Sequence, residues 1–227
     1  MKYCTNELSF IKDCLLSQGL RSDLRSIKDT RETQVTPLDN LHSDGSLLLK
    51  RGYSSIRLSI EFNIEGTIES NYEISSFFLR ELSEFPGIYI KMEIYKDDGN
   101  IRDLFYEGIR NILNNTEELL KEVYKLLDHK REDHKLVCNK LLSTVSMNNL
   151  LDDKKEVYKN ILNVSSFAIF ENLVISDPLK IEEESSDALV TVFHRNGEIL
   201  SFIQTKSGII NQEIIQEIQK RLIQNIK

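Results

Sequence analysis

The chain has 227 residues, of which 40% are apolar and 29% are charged, a composition typical of a soluble globular protein. Its formal net charge of −7 argues against a stand-alone nucleic-acid binder, because such proteins gain most of their affinity from basic side chains. No apolar run reaches the roughly 18 residues that a membrane span needs, and the first residues lack a signal-peptide layout. We therefore expect a soluble intracellular protein without membrane contacts.

The predicted elements alternate between helices and strands, as in a mixed α/β (α+β) chain. In chain order they are a helix at 5–19, an extended connector at 21–32, two strands within 33–65 that flank a turn at 51–53, a helix at 74–82, a strand at 88–95, a helix at 101–113, helices within 116–163, strands at 165–175, 188–194 and 198–205, and a helix from 211 to about 226. Residues 55–64 alternate apolar and polar side chains, which is typical of a half-buried strand. Asn196-Gly197 supplies the positive φ values of a hairpin turn.

Cysteine and histidine spacing predicts neither a disulfide framework nor a metal site. Cys4, Cys14 and Cys138 are far apart and form no Cys-x-x-Cys pair, and the four histidines do not lie at ligand spacing from them. The fingerprints of phosphate loops, dinucleotide binding, zinc proteases and serine hydrolases are missing from the sequence. We expect no cofactor and no metal.

Three segments, at 19–25 with 31–32, at 90–113 and at 175–184, carry a resemblance to a known family. In this order they resemble RNase PH-like proteins, the 3′ exoribonuclease family that includes the ring subunits of the eukaryotic RNA exosome, and a leading helix resembles the non-catalytic branch of that ring. The residues that match the family's motifs are Arg21, Asp23 and Arg25 in the first segment, Asp98, Gly99 and Asn100 in the second, and Asp177, Pro178, Glu182 and Glu183 in the third.

The resemblance implies an RNase PH-like fold with two βαβ-type lobes (ribosomal protein S5 domain 2-like), an N-terminal helix and a helical insertion. The corresponding division is an N-terminal helix at 1–20, lobe 1 at 21–115, the insertion at 116–163 and lobe 2 at 164–227. Local chemistry gives the matched residues structural roles. Gly99 suits a positive φ, and Asp177 before Pro178 can accept backbone N–H groups. The acidic run at 182–184 is expected to cap or flank a strand.

Catalysis is not expected. Active members of the family carry arginines that bind phosphate and the RNA 3′ end, and two aspartates about six residues apart ahead of the Asp-Pro segment. Ahead of Asp177, residues 165–173 contain one carboxylate, Glu171, and no such pair. The family's Gly-Thr-Arg phosphate loop has no counterpart, since its nearest candidate, at 79–81, lies within a predicted helix. We therefore expect no catalytic residues and an inactive RNase PH relative.

The resemblance then implies a structural subunit of the exosome core ring that supports 3′-to-5′ RNA processing and degradation. Its partners would be other RNase PH-like subunits in a six-membered ring, S1/KH cap subunits, a hydrolytic exoribonuclease subunit and RNA in the central channel. It would act in the nucleus, including the nucleolus, and in the cytoplasm. Lys50 and Arg51, at the predicted hairpin tip, are the candidate RNA contacts.

Two alternatives stay open. The chain could be an active phosphate-dependent 3′-to-5′ exoribonuclease whose acidic residues are displaced in sequence. It could also be a protein-interaction module that does not act on RNA, in which case the matched segments are accidental.

Overall fold

The computed structural model describes residues 3–38, 43, 45–62, 67–82, 88–114 and 162–224 of the chain. These residues form nine strands and five helices within the described ranges. In chain order they are α1 (Thr5–Gln18), β1 (Thr33–Pro37), β2 (Gly45–Arg51), β3 (Ser54–Phe62), β4 (Ile68–Ser70), α2 (Ser76–Leu82), β5 (Ile88–Lys96), α3 (Ile101–Asn114), β6 (Asn163–Phe170), β7 (Leu173–Ser176), α4 (Lys180–Ser185), β8 (Ala188–Arg195), β9 (Glu198–Gln204) and α5 (Gln212–Gln224).

The first sheet has the strand order β1-β2-β3-β5-β4. Its strands pair antiparallel except for β4 and β5, which run parallel and are joined through α2, so that lobe 1 contains a βαβ unit. One face of the sheet is apolar and packs against α2 and α3 because its strands alternate apolar and polar side chains. The buried residues of that face are Leu47, Leu49, Ile56, Leu58, Ile60, Ile88, Ile90 and Met92.

The second sheet has the order β7-β6-β8-β9, and all of its described pairs are antiparallel. One face packs against α5 through Phe167, Ile169 and the buried face of that helix. The other face contacts α3, and near the β6–β7 turn it packs against Leu15 of α1. The two sheets are thus separated by a helical layer, which is the arrangement expected of the α+β class.

Aromatic side chains join the two lobes into one core. The ring of Phe193, from β8, lies 5.4 Å from that of Tyr106 and 6.4 Å from that of Phe78, centroid to centroid. All three side chains are buried, and Phe193 belongs to the same apolar cluster as the first sheet. Because each buried aromatic side chain contributes about 1.5–3 kcal/mol, this contact opposes separation of the lobes.

The α/β (α+β) class and most element positions agree with the sequence predictions. The β2–β3 hairpin is confirmed, as is the turn at Asn196 (φ 50°) and Gly197 (φ 81°). Gly19 ends α1 in the left-handed conformation (φ 64°). Cys4 precedes this helix and donates its backbone N–H to the carboxylate of Glu7.

Some elements differ from the sequence predictions. Strands β1 and β4 were not predicted, because an exposed five-residue edge and a three-residue strand carry little apolar alternation. The single strand expected at 165–175 is two antiparallel strands, which turn where Glu171 adopts φ 53°. The acidic run at 182–184 lies inside α4 instead of flanking a strand. The predicted helices at 116–161 lie outside the described residues, and Asn163, expected within the insertion, begins β6.

None of the helices within the described ranges is both long and apolar enough to cross a membrane.

Candidate functional site

The three segments singled out in the sequence meet at the junction between the lobes. The backbone N–H of Lys180, at the start of α4, donates to the carbonyl of Asp98 at 3.1 Å. Nearby, the N–H of Asn100 donates to the carboxylate of Glu183 at 2.6 Å. The connector at 21–31 lies across both segments. We call this set of residues (21–31, 97–100 and 176–183) the junction cluster.

Arg21 and Glu182 form a fully buried ion pair in this cluster. Nε and Nη2 of Arg21 donate to the two carboxylate oxygens of Glu182 at 3.0 and 2.7 Å, and both side chains have 0% exposure. The other guanidinium bonds go to backbone carbonyls, including those of Ser176 at 3.0 Å and Asp177 at 2.8 Å. Glu182 also accepts the N–H of Leu179, the residue before α4, at 2.8 Å. Because the charges are paired and hydrogen-bonded, their burial is compensated.

The carboxylate of Asp177 is the main hydrogen-bond acceptor of the junction cluster. Its carboxylate accepts two bonds from the Arg31 guanidinium, at 2.8 and 2.9 Å, and one from Arg25 at 2.8 Å. The side-chain amide of Asn100 donates a further bond at 2.6 Å. The guanidinium of Arg31 holds the pKa of Asp177 well below its usual range, against the opposing effect of burial. The carboxylate is therefore ionised and fully engaged, and is not free to transfer protons.

Gly99 allows the turn before α3 to approach α4 closely. It has φ 91°, and a Cβ atom at this position would lie 2.4 Å from the backbone nitrogen of Lys180. The next residue, Asn100, has φ 58° and links Asp177 with Glu183. Burial raises the pKa of Glu183 to about 7, although the N–H of Asn100 and the ammonium of Lys180 oppose this shift. The sequence prediction that Gly99 adopts a positive φ is confirmed.

The remaining matched residues lie at the edge of the cluster. Asp23 pairs with Arg25 at 2.5 Å, and Arg31 donates to the carboxylate of Asp98 at 3.4 Å and to the carbonyl of Pro178 at 3.3 Å. The structure therefore brings all ten residues matched by sequence together. It also shows that the connector, which the predicted boundaries assign to lobe 1, makes most of its bonds to lobe 2.

Lys50 and Arg51, the candidate RNA contacts, do not share a surface. Adjacent strand residues point to opposite faces of a sheet, and the turn itself is formed by Gly52 and Tyr53. Lys50 is exposed, whereas the guanidinium of Arg51 turns toward α3 and binds Glu107 there. Both residues belong to β2, which continues through Arg51, and they therefore do not lie at the tip of the hairpin as predicted. RNA contact by either residue stays a prediction.

A cleft of about 510 Å³ opens beside the junction cluster, between α3 and β6. Sequence analysis missed it, because its polar residues come from separate elements and, apart from Asp177, are not among the matched motif residues. The residues that matter for its chemistry are Arg31, Arg51, Asp103, Glu107, Arg110, Ser165, Ser166, Asp177 and His194. The one available signal was the placement of Asp103, a carboxylate on the buried side of a helix that otherwise shows an apolar stripe.

Asp103 fastens α3 to the second sheet. Its two carboxylate oxygens accept the N–H of Ser166 at 2.9 Å and the hydroxyl of Ser166 at 2.6 Å. Burial raises the pKa of Asp103 to about 6, while the Arg51 guanidinium, 3.7 Å away, opposes the rise. A group whose pKa is raised by folding stabilises the protein in its protonated form. Its contribution is therefore present below the unfolded pKa and is lost as the pH rises toward 6.

Asp103→Asn will remove this pH dependence. A shift of two units corresponds to about 2–3 kcal/mol, so the free energy of unfolding of the variant, relative to the parent, will rise by about that amount between pH 4 and pH 7. Urea unfolding at four pH values across this interval measures the difference. The titration of Glu183 cancels, because it is common to both proteins. A difference that stays constant with pH would show that Asp103 is ionised with an ordinary pKa.

Comparison with known proteins gives the class of the fold. No protein family model and no curated protein sequence matches the chain. Solved structures do match. A subunit of the Archaeoglobus fulgidus exosome with RNA bound to the active site has a TM-score of 0.65 and 14% identity, over 96% of this chain and 95% of that one. A chain of an archaeal exosome core matches with a TM-score of 0.65 and 13% sequence identity, over 98% of both chains. Rrp46 of rice (Oryza sativa) matches with a TM-score of 0.57 and 13% sequence identity, over 88% of this chain and 92% of that one.

The two-sheet α+β architecture is thus the fold of RNase PH-like exosome core subunits, which the sequence resemblance had predicted. With identities of 13–14%, the comparison defines the fold and leaves the function to the residues. Within the described ranges, no group of three or more His, Cys, Asp or Glu side chains is arranged to hold a metal ion.

Proposed function

We propose that the chain is a catalytically inactive structural subunit of an exosome core ring. The single observation that carries this proposal is the fold match, which extends over nearly the whole chain and nearly the whole of each exosome core chain. The exosome core fold supports a role in the ring. Such a subunit would hold neighbouring RNase PH-like subunits and line the RNA channel, and would thereby support 3′-to-5′ processing and degradation of RNA, including ribosomal RNA.

Inactivity is supported by the state of the carboxylates in the junction cluster. Asp177 is held by two arginines and an asparagine, and Glu182 is held by Arg21. A general acid or base must be able to exchange a proton with the reacting group, which a saturated, buried carboxylate does not do. These residues serve instead to bind one lobe to the other.

The alternative of an active enzyme has one observation in its favour. Asp177 and Glu183 are themselves six residues apart (183 − 177) and converge on Asn100. Their spacing matches the aspartate pair of active members, although one partner is a glutamate. We favour inactivity because Asp177 is neutralised by Arg31 and Arg25, and because Glu183 is bound to a backbone N–H.

An RNA degradation assay separates these two candidates. The purified chain, incubated with single-stranded RNA and inorganic phosphate, is expected to release no nucleoside diphosphate, because the Asp177 carboxylate is held by Arg25, Arg31 and Asn100. Phosphate-dependent release that is abolished by Asp177→Asn or Glu183→Gln would contradict the proposal. An active RNase PH-like enzyme, run in parallel on the same RNA, is the control for the conditions.

Ring membership is tested by assembly. Co-expression with the RNase PH-like subunits of its own organism is expected to give a six-membered complex containing this chain, measured by native mass spectrometry. We further propose S1/KH cap subunits and a hydrolytic exoribonuclease subunit as partners of that ring, and the nucleus, including the nucleolus, and cytoplasm as its location. Recovery of the chain with none of these subunits would favour the protein-interaction alternative.

A further inference from the structure

Strand β9 is a long, open edge of the second sheet. Within the described ranges, no strand pairs with its outer side, and its seven residues exceed those of the other edge strands, β1, β4 and β7. Proteins usually protect such an edge with prolines or charged side chains, because its peptide groups can pair with another chain. β1 ends in Pro37, whereas residues 199–205 contain no proline and no charge. The edge at β9 is therefore suited to strand pairing.

The peptide groups of Phe202 and Gln204 point toward this edge. The N–H of Thr205 donates to the carbonyl of Leu189, just before the regular part of the β8–β9 ladder, at 2.9 Å. Successive residues of an antiparallel strand direct their peptide groups alternately to its two sides. The groups of Ile203 therefore point to β8, and those of Phe202 and Gln204 point away from it. An added strand would find both donors and acceptors there.

Exposed apolar side chains lie beside these peptide groups. Phe202 is 49% exposed and lies opposite Val192, which packs against α5, so both point to the face that α5 covers. On α5, Arg221 contacts Ser176 of β7. Ile215, 39% exposed, lies six residues earlier, about 120° around the helix, on the flank toward β9. The edge thus combines apolar contact area with main-chain hydrogen-bonding groups.

We propose that this edge pairs with the same edge of a second copy of the chain, antiparallel and with Phe202 on the two-fold axis. The edge is self-complementary in that arrangement. Phe202 lies opposite Phe202 of the second copy, and Leu200 lies opposite Gln204. Glu198 approaches Lys206 of the second copy, so opposite charges meet at both ends. Main-chain hydrogen bonds then join the two four-stranded sheets into one.

The charge distribution favours this edge as the place where two copies meet. Each copy has a formal net charge of −7, so two copies repel one another over most of their surfaces. Residues 199–205 are uncharged and add nothing to that repulsion. At the end of the edge, the carbonyl oxygens of Glu184 and Ser186 hold the ammonium of Lys206 at 2.7 and 2.8 Å. Lys206 therefore provides a positive charge at a fixed position.

This contact goes beyond the proposed function, because the ring requires other subunits and the contact joins two copies of one chain. Sedimentation of the full chain alone, over a series of concentrations, is expected to show a reversible monomer–dimer equilibrium. Phe202→Glu places two carboxylates opposite each other at the axis. It should raise the dissociation constant of the dimer by at least about tenfold.

Val35→Glu is the matched control, since Val35 lies on the edge strand β1 and is 39% exposed. It should leave the dimer unchanged, and unchanged thermal unfolding of both variants excludes misfolding. Phe202→Lys alone should be monomeric as well. An equimolar mixture of Phe202→Lys and Phe202→Glu should dimerise again, because the axis then brings opposite charges together.

Several results would overturn the contact. One is a parent chain that stays monomeric up to about 0.1 mM, and another is a dimer that Phe202→Glu leaves intact. A mixture that fails to dimerise would overturn the two-fold arrangement. If the parent chain is monomeric and Phe202→Glu prevents assembly with RNase PH-like subunits, the edge binds a ring neighbour instead of a second copy. A dimer that Phe202→Glu dissociates, from a chain that joins no ring, would support the contact and contradict the proposed function alone.

Discussion

Glu182→Ala is expected to lower the free energy of unfolding by about 3–5 kcal/mol, because it leaves the buried guanidinium of Arg21 without its counter-charge. The pair has two hydrogen bonds and 0% exposure on both sides, so solvent cannot replace the carboxylate without opening the lobe junction. The N–H of Leu179 would lose its acceptor as well. Urea denaturation at pH 7, followed by circular dichroism, measures the loss.

Two further variants show whether this effect comes from the charge. Glu184→Ala, in the same short helix, should change stability by no more than about 0.5 kcal/mol, since within the described ranges its side chain accepts no hydrogen bond. The double variant Arg21→Met, Glu182→Leu should recover much of the loss, because it buries no unpaired charge. If Glu182→Ala lowers the free energy of unfolding as little as Glu184→Ala does, the buried ion pair does not hold the lobes together.

Gly99→Ala is expected to destabilise the protein by about 3–5 kcal/mol, an effect of strain and steric overlap combined. The positive φ of 91° is unfavourable for any residue with a Cβ atom, and that atom would lie 2.4–2.7 Å from backbone atoms of Lys180, Leu179 and Pro178. Relief requires α4 to move away from the turn. That movement weakens the bonds from Lys180 to Asp98 and from Asn100 to Glu183.

Gly19→Ala provides a matched control for this substitution. Gly19 also has a positive φ, 64°, but a Cβ atom there would meet nothing within 4 Å. It should therefore cost only the conformational strain, about 1–2 kcal/mol. The difference between the two glycine variants isolates the close approach of the turn to α4. Equal losses of unfolding free energy in Gly99→Ala and Gly19→Ala would show that α4 can move away at no cost. The close contact between the turn and α4 would then not be required for stability.

The strands and turns that depend on residues close together in the sequence could be predicted from local patterns. Alternating apolar residues identified β3 and β5, and Asn196-Gly197 identified the hairpin between β8 and β9. The helix α4 had a usable signal as well. Glu182 stands three residues after Leu179, at the spacing where a glutamate reaches back to the N–H that precedes a helix. The run of glutamates was instead interpreted as a strand flank.

Contacts between distant segments could not be predicted in this way. Arg21 and Glu182 are 161 residues apart, and no periodicity or spacing relates them. The family resemblance selected both residues, but only the fold shows that they touch. The cleft is the extreme case, because Arg110, Ser165 and His194 come from three elements, and of these only Arg110 lies in a matched segment, the one at 90–113. The resemblance therefore led to the junction cluster and to one side of the cleft, but not to the cleft residues on the second sheet, Ser165, Ser166 and His194.

The junction cluster also dictates the order of events while the protein is being made. Arg21 emerges from the ribosome 161 residues before Glu182, a delay of roughly ten to thirty seconds at ordinary rates of synthesis. During that time its guanidinium has no buried carboxylate to meet and stays hydrated. The connector that contains Arg21 is therefore translated early, but its buried ion pair forms late. A chain released before residue 182 would contain all five strands of the first sheet, but Arg21 in its connector would have no Glu182 to pair with.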